Sequence, residues 1–380
     1  MKKIYYLSYF DIPEHAEQKR NYVLSATTKS EYECKALAKA GYKVEIVSAS
    51  GTCSDEFCQG STTELCDNLT LRLFDAKPTK TTLQRIFARR FMKKQLSKYL
   101  LDNITENDVL IVYHSMAYAD LVQKIKLKKN PLLIIEANEI YADVTGNENT
   151  REAEQKCLQS ADAYILSTEL LNDKINVNNR PYVVNYGTFD DTPKLSEKTN
   201  DGKIHAVYAG VLEPRKGAQL AVCAAKFLPE NYHIHIIGFG SEKDISDIKS
   251  LIEEISSKTK CTVTYDGKYG GEDYIRFLQS CHIGLATQNK DASFNETSFP
   301  SKVLSYLSNG LRVISVRIKA IEVSKVADLM YFYNNDSAKE VADAIMSIDF
   351  TDNYDSRKTL RHLNSEFVNG FSILVNRSKK

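Results

Sequence analysis

Short runs of aliphatic and β-branched residues alternate with longer stretches of helical periodicity along almost the whole chain. In the first half, residues 3–9, 43–48, 69–74, 108–113, 131–136, 163–167 and 181–185 have the length and apolar density of strands covered on both faces. Between them, residues 30–40, 81–101, 118–127, 150–160 and 168–175 carry apolar side chains at helical spacing. Strands spaced by helices predict right-handed βαβ units and a parallel sheet.

The alternation pauses at residues 187–203, GTFDDTPKLSEKTNDGK, a polar stretch with Pro193 and no apolar period, which reads as a linker. A second alternation follows, with strands predicted at 204–209, 233–237, 262–265, 283–287, 312–316 and 329–333. Helices are predicted at 218–227, 246–256, 272–281, 301–308 and 338–347, and the tail 353–377 is also helical in pattern. The chain thus divides into an α/β domain over residues 1–186, the linker 187–203, a second α/β domain over 204–350, and helices in 351–380 expected to pack back towards the first domain. Ligands in parallel α/β sheets sit beyond the carboxyl ends of the strands, so the expected active site is the cleft between the halves.

Composition narrows the class. The 380 residues include 50 basic and 49 acidic side chains, a formal charge of +1, which is a poor match to a generic nucleic-acid binder. At 43% hydrophobic and 26% charged the chain reads as an ordinary soluble protein, and no run approaches the ~18 apolar residues of a spanning helix. The opening MKKIYYLSYFDIPEH reads as a first strand with too short an apolar core for a signal peptide. Eight cysteines without an export signal fit free thiols in a reducing cytosol. Cys53, Cys58 and Cys66 cluster but lack ligand spacing and a nearby histidine, so no metal or cofactor is expected.

Chemistry concentrates in the second half. IHAVYAG runs into VLEPRKGAQLAV, so a strand ends at Gly210 and Arg215, Lys216 and Gly217 open a helix. Cations beside helix-start amides favour a phosphate, although at a strand–helix turn they can equally be solvated. HIHIIGFG places Gly238 and Gly240 after a strand, either for close backbone approach or for a tight turn. TYDGKYGGEDYIRFLQSCHIGLAT gives strand, glycine loop, helix and strand. NETSFPSKVLSYLSNGLRVIS gives a helix with Pro300 suited to its first position, Ser298 near the cap and Gly310 as stop, with Lys302 by the positive dipole end.

In this order the four segments resemble the nucleotide-sugar half of the GT-B glycosyltransferases, specifically the large retaining family 4 group. The likeness is good over 204–315 and looser earlier, where ALAKAGYKVEIVSAS resembles the family's second strand and DVLIVYHS the strand ending in an active-site histidine. The resemblance implies an α/β GT-B fold of two Rossmann-like parallel-sheet domains facing across a cleft. It gives Lys216 the donor diphosphate and His114 the donor sugar, and Arg215, on the other side of the loop, is a candidate to replace the family's partner arginine. The resemblance places Gly210, Gly238 and Gly240 against the donor, Lys268, Tyr269 and Gly270 around its base, and the helix start Phe299, Pro300, Ser301 and Lys302, with its free amides, towards its phosphates. Glu139, Tyr141 and Asp143 would line the acceptor side.

The sequence departs from the family pattern at several points. Val211 stands where the family has an arginine, and Thr297 and Ser305 stand where it has two glutamates seven residues apart, with Glu296 one position from the first. Ser298 lies within the same loop, and no glycine follows the first strand. No Asp-x-Asp triplet occurs, which agrees with a metal-independent site stabilised by cations and helix amides.

The near-zero charge hides one segment. Between Asp75 and Asp102 there is no acid, but Lys77, Lys80, Arg85, Arg89, Arg90, Lys93, Lys94 and Lys98 are interleaved with apolar residues. Each cation near an anionic bilayer is worth about 1 kcal/mol, whereas a core-packed helix with a solvated basic face accounts for the pattern equally well. The resemblance implies membrane contact at 77–98 and a cytoplasmic or inner-leaflet enzyme. That enzyme would move a sugar, with retention, from a UDP-type donor to a lipid-linked or growing surface or capsular polysaccharide, with no nucleic-acid partner. Two alternatives are a catalytically silent homologue serving a partner glycosyltransferase and a sugar-nucleotide epimerase.

Overall fold

The apolar runs of the first half form eight strands: β1 (Lys3–Ser8), β2 (Lys43–Ser48), β3 (Thr62–Cys66), β4 (Leu69–Arg72), β5 (Val109–Tyr113), β6 (Leu132–Ala137), β7 (Ala163–Leu166) and β8 (Tyr182–Val184). They lie in one sheet in the order β3-β4-β2-β1-β5-β6-β7-β8. β3 runs antiparallel to β4 and the other pairs are parallel. The second half supplies β9 (Ile204–Val211), β10 (Tyr232–Phe239), β11 (Thr262–Gly267), β12 (Ile283–Ala286), β13 (Arg312–Val316) and β14 (Met330–Tyr333). These form an all-parallel sheet in the order β11-β10-β9-β12-β13-β14.

This computed structural model describes residues 2–22, 24–190, 192–291, 295 and 297–377. The chain divides into one unit of Met1–Thr188 with Asn364–Lys380 and a second of Phe189–Leu363. Central strands such as β6 and β13 are buried almost throughout, because helices cover both faces of a parallel sheet. β3 escapes a reading by apolar runs because it is an edge strand whose side chains alternate between exposed and half-buried. The helix predicted at 30–40 begins earlier, spanning Leu24–Lys39. The tail forms one helix, Ser356–Arg377, with its last two thirds belonging to the first unit.

The polar stretch read as a linker is held to the second unit. Gln279 Oε1 accepts the amides of Leu195 at 2.7 Å and Ser196 at 3.0 Å, and its Nε2 donates to the Pro193 carbonyl at 2.8 Å. The Thr199 amide donates to the Ser280 carbonyl at 2.9 Å. One buried glutamine thus satisfies backbone that has no strand partner.

In the first unit, a buried polar network ties helix Leu24–Lys39 to the sheet. Tyr6 on β1 donates to Glu33 Oε2 at 2.7 Å and also touches the Glu136 carboxylate on β6. Asn185 donates to Glu33 Oε1 at 2.6 Å, and Asn138 to Glu136 Oε1 at 2.9 Å. Lys29 is the ammonium within reach, 3.1 Å from Glu136 and 3.9 Å from Glu33. Burial, and then repulsion from Glu136, hold the Glu33 carboxyl well above the usual carboxylate range.

This shift has a sign for stability. Unfolded, Glu33 loses its proton near pH 4.3, while the folded unit keeps it to higher pH. The folded state therefore binds more protons across that window, and stability falls as pH rises. Glu33→Gln removes the titration and keeps an acceptor for Tyr6. Its urea midpoint is expected to drop less than wild type between about pH 5 and pH 8. Equal slopes in the two proteins would rule out Glu33 as the source.

Candidate functional site

In the second unit, polar chemistry gathers where β9 and β12 separate. These strands pair only at Ile283↔Ala206 and Gly284↔Val207, and Tyr306 of helix Ser301–Ser308 occupies the fork beyond. Its hydroxyl accepts the Ala209 amide at 2.8 Å and donates to the Leu285 carbonyl at 3.3 Å. A Cβ on residue 284 would lie 2.3 Å from Tyr306 Cγ, so Gly284 leaves the room the ring needs. Strand order reverses at this fork, with β10 and β11 on one side of β9 and β12 to β14 on the other. Such points are where parallel α/β sheets hold ligands.

One turn before Tyr306 on the same helix, Lys302 reaches over β9. Its Nζ lies 4.1 Å from the centre of the Tyr208 ring and donates to the Lys216 carbonyl at 3.4 Å. No carboxylate among the described residues forms an ion pair with it. Loss of water and, next, the positive charge of Lys216 push its pKa down to about 7. An ammonium held by a π face and one long hydrogen bond gains most from an incoming anion.

The loops around it are set by two glycines. Gly217 follows the turn Pro214–Lys216 at φ +89°, and a Cβ there would sit 1.7 Å from the Thr287 carbonyl oxygen. Thr287 Oγ1 donates to the Gly217 carbonyl at 2.7 Å, pressing the lysine turn onto the end of β12. Gly238, at φ +150°, lies opposite Gly210 in register, and a Cβ would be 1.7 Å from the Gly210 oxygen. The glycines read as strand stops are therefore strand members, and β9 and β10 run on to Val211 and Phe239. Gly240 stands against Asp244, which shares a capping box with Ser241 at the next helix start.

Helix Ser301–Ser308 corrects the expectation for Pro300 and Ser298. Pro300 is the N-cap, not the first helical residue, and no side chain caps the helix. The amides of Ser301 and Lys302 have no acceptor within the helix, whereas that of Val303 donates to the Pro300 carbonyl at 3.0 Å. Phe299 is buried beneath this start and Ser301 is exposed. After β11, Lys268 Nζ lies 5.2 Å from the Phe239 ring centre, and the Tyr269 ring packs tilted against Phe277 with centres 4.8 Å apart. Gly270 caps the helix Gly271–Ser280 that follows.

The departures have structural consequences. Arg215 is 67% exposed at its side chain and ion-paired with Glu213 at 2.6 Å, so its charge is already met locally. Ser305 Oγ is 3.1 Å from Tyr274 Oη. Thr297 is fully buried, and its Oγ1 has no hydrogen-bond partner among the described residues. Glu296 lies outside the described residues.

In the first unit, the corresponding reversal of strand order lies between β1 and β5, and His114 follows β5 directly. The imidazole is buried, 5.0 Å from the Tyr141 ring centre, and Tyr141 donates its hydroxyl proton to the His114 carbonyl at 2.7 Å. His114 Nε2 stands 3.5 Å from Glu154 Oε1, too far for a strong hydrogen bond. Burial lowers the His114 pKa, with Glu154 acting in the opposite sense. Glu154 itself accepts the amides of Tyr141 at 2.7 Å and Ala142 at 3.0 Å, capping the short helix Tyr141–Thr145. Asp143 is ion-paired with Arg151 at 2.8 Å, and Glu139 is half-buried beside the same turn. Glu154 has no signature in sequence, since its role depends on a helix that the periodicity does not reveal.

Residues 203–348 match the family described as glycosyl transferases group 1. The matched segment contains the whole fork, with Gly210, Lys216, Gly238, Lys302 and Tyr306. No curated protein matches the sequence. Among solved structures, the E. coli trehalose-6-phosphate structure bound with UDP-2-fluoro glucose has a TM-score of 0.67 at 11% identity, covering 100% of this chain and 99% of that one. The Burkholderia xenovorans alpha,alpha-trehalose-phosphate synthase (UDP-forming), in complex with glucose-6-phosphate, gives 0.67 at 11% identity and full coverage of both chains. The Anabaena HepE protein in complex with UDP gives 0.63 at 11%, covering 99% of this chain and 98% of that one. The fold is that of the GT-B glycosyltransferases, two parallel-sheet α/β domains in one chain.

The geometry shifts weight from Arg215 to Lys302. With its pKa near 7, Lys302 is mostly neutral at pH 8, and an anion held against its Nζ would raise that value. UDP binding at pH 8 should therefore take up close to one proton, and affinity should fall as pH rises above about 7. Calorimetry in buffers of different ionisation enthalpy reads the uptake directly. Lys302→Met should abolish it and weaken UDP by about ten- to a hundredfold. Unchanged proton uptake in that variant would exclude Lys302.

Proposed function

We propose that the protein is a glycosyltransferase that takes a sugar from a UDP-type donor and transfers it, with retention of configuration, to a lipid-linked or growing surface polysaccharide. The observation that carries this reading is the desolvated Lys302 ammonium, set beside Lys216 and the uncapped start of helix Ser301–Ser308 at the reversal point of the sheet. The group 1 match over the same segment supports it, as do the UDP-2-fluoro glucose and UDP held by two of the similar structures.

In this reading the departing diphosphate gains negative charge at its β-phosphate, and Lys216, Lys302 and the first helix amides stabilise it. These groups are fixed before reaction, so little reorganisation is needed as the charge develops. They take the role that a divalent ion plays in metal-dependent transferases, so the site works without one. The same phosphate then receives the proton of the acceptor hydroxyl as that oxygen attacks from the face the leaving group vacates. His114, from the first unit, keeps the donor-sugar role that the resemblance gives it.

Membrane contact draws support from helix Thr82–Asn103. Its second half is anchored through Met92, Leu96 and Leu100, while Leu83, Ile86 and Phe87 are exposed beside Arg85, Arg89 and Arg90. No helix among the described residues is long and apolar enough to cross a membrane. An apolar trio flanked by cations suits the interface of an anionic leaflet. Phe87→Glu is expected to release the protein from vesicles containing phosphatidylserine while leaving UDP binding unchanged. Equal co-sedimentation of both forms would refute the contact.

A silent homologue supporting a partner enzyme is the second reading, favoured by the absence of acid at Thr297 and Ser305. UDP release from a panel of UDP-sugars separates the two. Lys216→Ala should lower that release at least tenfold, by loss of a charged hydrogen bond of about 1.5–3 kcal/mol. If neither UDP nor GDP binds at millimolar concentration, the enzyme reading fails and the silent one stands.

A further inference from the structure

At the amino ends of β9 and β10, opposite the fork, four of the chain's seven histidines meet. His205 on β9 lies in register with His233 on β10, and His235 follows two residues on, facing the same side. The rings stack: His233 on His235 with centres 3.8 Å apart, and His205 on His235 at 5.1 Å. His282, just before β12, stacks on His205 at 5.8 Å and accepts the His205 amide at Nδ1, 3.1 Å away. One ring nitrogen from each of His205, His233 and His235 lies within 4.8 Å of those of the other two.

The second nitrogen of each ring is already fixed. His205 Nε2 is 3.0 Å from Asp201 Oδ1, His235 Nδ1 is 3.0 Å from Asp266 Oδ2, and His233 Nε2 is 2.9 Å from Thr264 Oγ1. Thr264 in turn donates to Asp266 at 2.8 Å. That leaves His205 Nδ1 and His235 Nε2 facing each other at 2.8 Å. Imidazoles that ligate a metal characteristically hold their other nitrogen on a carboxylate, which fixes the tautomer and raises basicity.

We propose that His205, His233 and His235 bind a divalent transition metal of the zinc class, with Asp201 and Asp266 orienting two of the ligands. Tetrahedral zinc with bonds of about 2.0–2.1 Å sets its nitrogens about 3.3 Å apart. The facing nitrogens of His205 and His235 need to open by only about half an ångström to admit it. His205 and His235 are buried and His233 is half-buried, so the third ligand and a water in the fourth position are reached from solvent. All-nitrogen ligation of this kind suits zinc, nickel or copper and disfavours magnesium and calcium. The site lies at the far end of the strands from Lys302, so its role is to clasp β9 to β10, not to act on the diphosphate.

The test uses the full chain, stripped with a chelator and titrated with Zn²⁺ alone against a chromophoric competitor. One equivalent is expected to bind and to raise the melting temperature. His233→Gln, at the half-exposed position, should weaken binding at least tenfold, and Asp266→Asn by about ten- to a hundredfold. Cys53→Ser with Cys66→Ser, which removes the exposed thiols, should change nothing. Co²⁺ in place of Zn²⁺ should give visible bands without thiolate charge transfer. The proposal is overturned if wild type shows no saturable binding, if the Co²⁺ spectrum reports thiolate ligands, or if His233→Gln binds as tightly as wild type. Should a histidine variant fail to fold, the wild-type Co²⁺ spectrum alone decides.

Discussion

The second unit turns on a single phenol. β9 and β12 separate after two paired residues, and the backbone beyond would be left with buried groups lacking partners, each costing about 1–3 kcal/mol. Tyr306 answers both strands at once, accepting from Ala209 and donating to Leu285. Burial holds its pKa well above the ordinary phenol value, so the hydroxyl keeps the proton that this double role requires. Because the phenol can reach the fork only from one register of helix Ser301–Ser308, the helix start is fixed over the end of β9. Lys302 then has little choice but to lie across the Tyr208 ring.

The two sheets use one topological device for different ends. Each reverses its strand order beside its first strand, and each places its distinctive polar group at that reversal: His114 in the first unit, Lys302 in the second. The strands are otherwise apolar because both faces are covered, so polar side chains collect at strand ends or must be fully partnered within. The Tyr6–Glu33–Glu136–Lys29 network is the partnered case, binding a helix to the sheet at the cost of a strained carboxyl pair. The histidine stack at the amino ends of β9 and β10 is the terminal case. A net charge of +1 conceals all of these, since each is a local balance or imbalance set by burial.

Most strands are legible in the sequence because a strand covered on both faces must be apolar along its length. β13 matches its apolar run residue for residue, and β2 does as well. What escapes the sequence depends on contacts across the fold. Gly210 and Gly238 look like stops, yet they continue their strands because two backbones touch there. The polar run 187–203 looks unattached, but a distant glutamine holds it. Lys216 is readable from its turn, whereas the standing of Lys302 over Arg215 needs two facts absent from the sequence: the Glu213 ion pair and the Tyr208 ring. The histidines are invisible as a group because segments far apart in the chain bring them together, and only the spacing of His233 and His235 hints at a shared face.

In the proposed function, the departures at Thr297 and Ser305 would bear on affinity more than on chemistry. A carboxylate that accepts from a ligand hydroxyl makes a charged hydrogen bond of about 1.5–3 kcal/mol, and a serine hydroxyl a neutral one of about 0.5–1.5 kcal/mol. Ser305 Oγ is also engaged with Tyr274, so in the proposed function a serine there would hold the nucleotide about tenfold less tightly than a glutamate. Bond cleavage in the proposed reaction depends instead on charge gathered at the β-phosphate, and the groups placed to meet it are cations and helix amides. Those are present and pre-set at the fork, and one of them is Lys302, whose pKa is pushed down by burial and the charge of Lys216. Replacing such a lysine with an apolar residue would remove the desolvation cost and give up only the Tyr208 ring contact and one long hydrogen bond. Keeping Lys302 desolvated, beside a second lysine, makes physical sense where an anion regularly arrives.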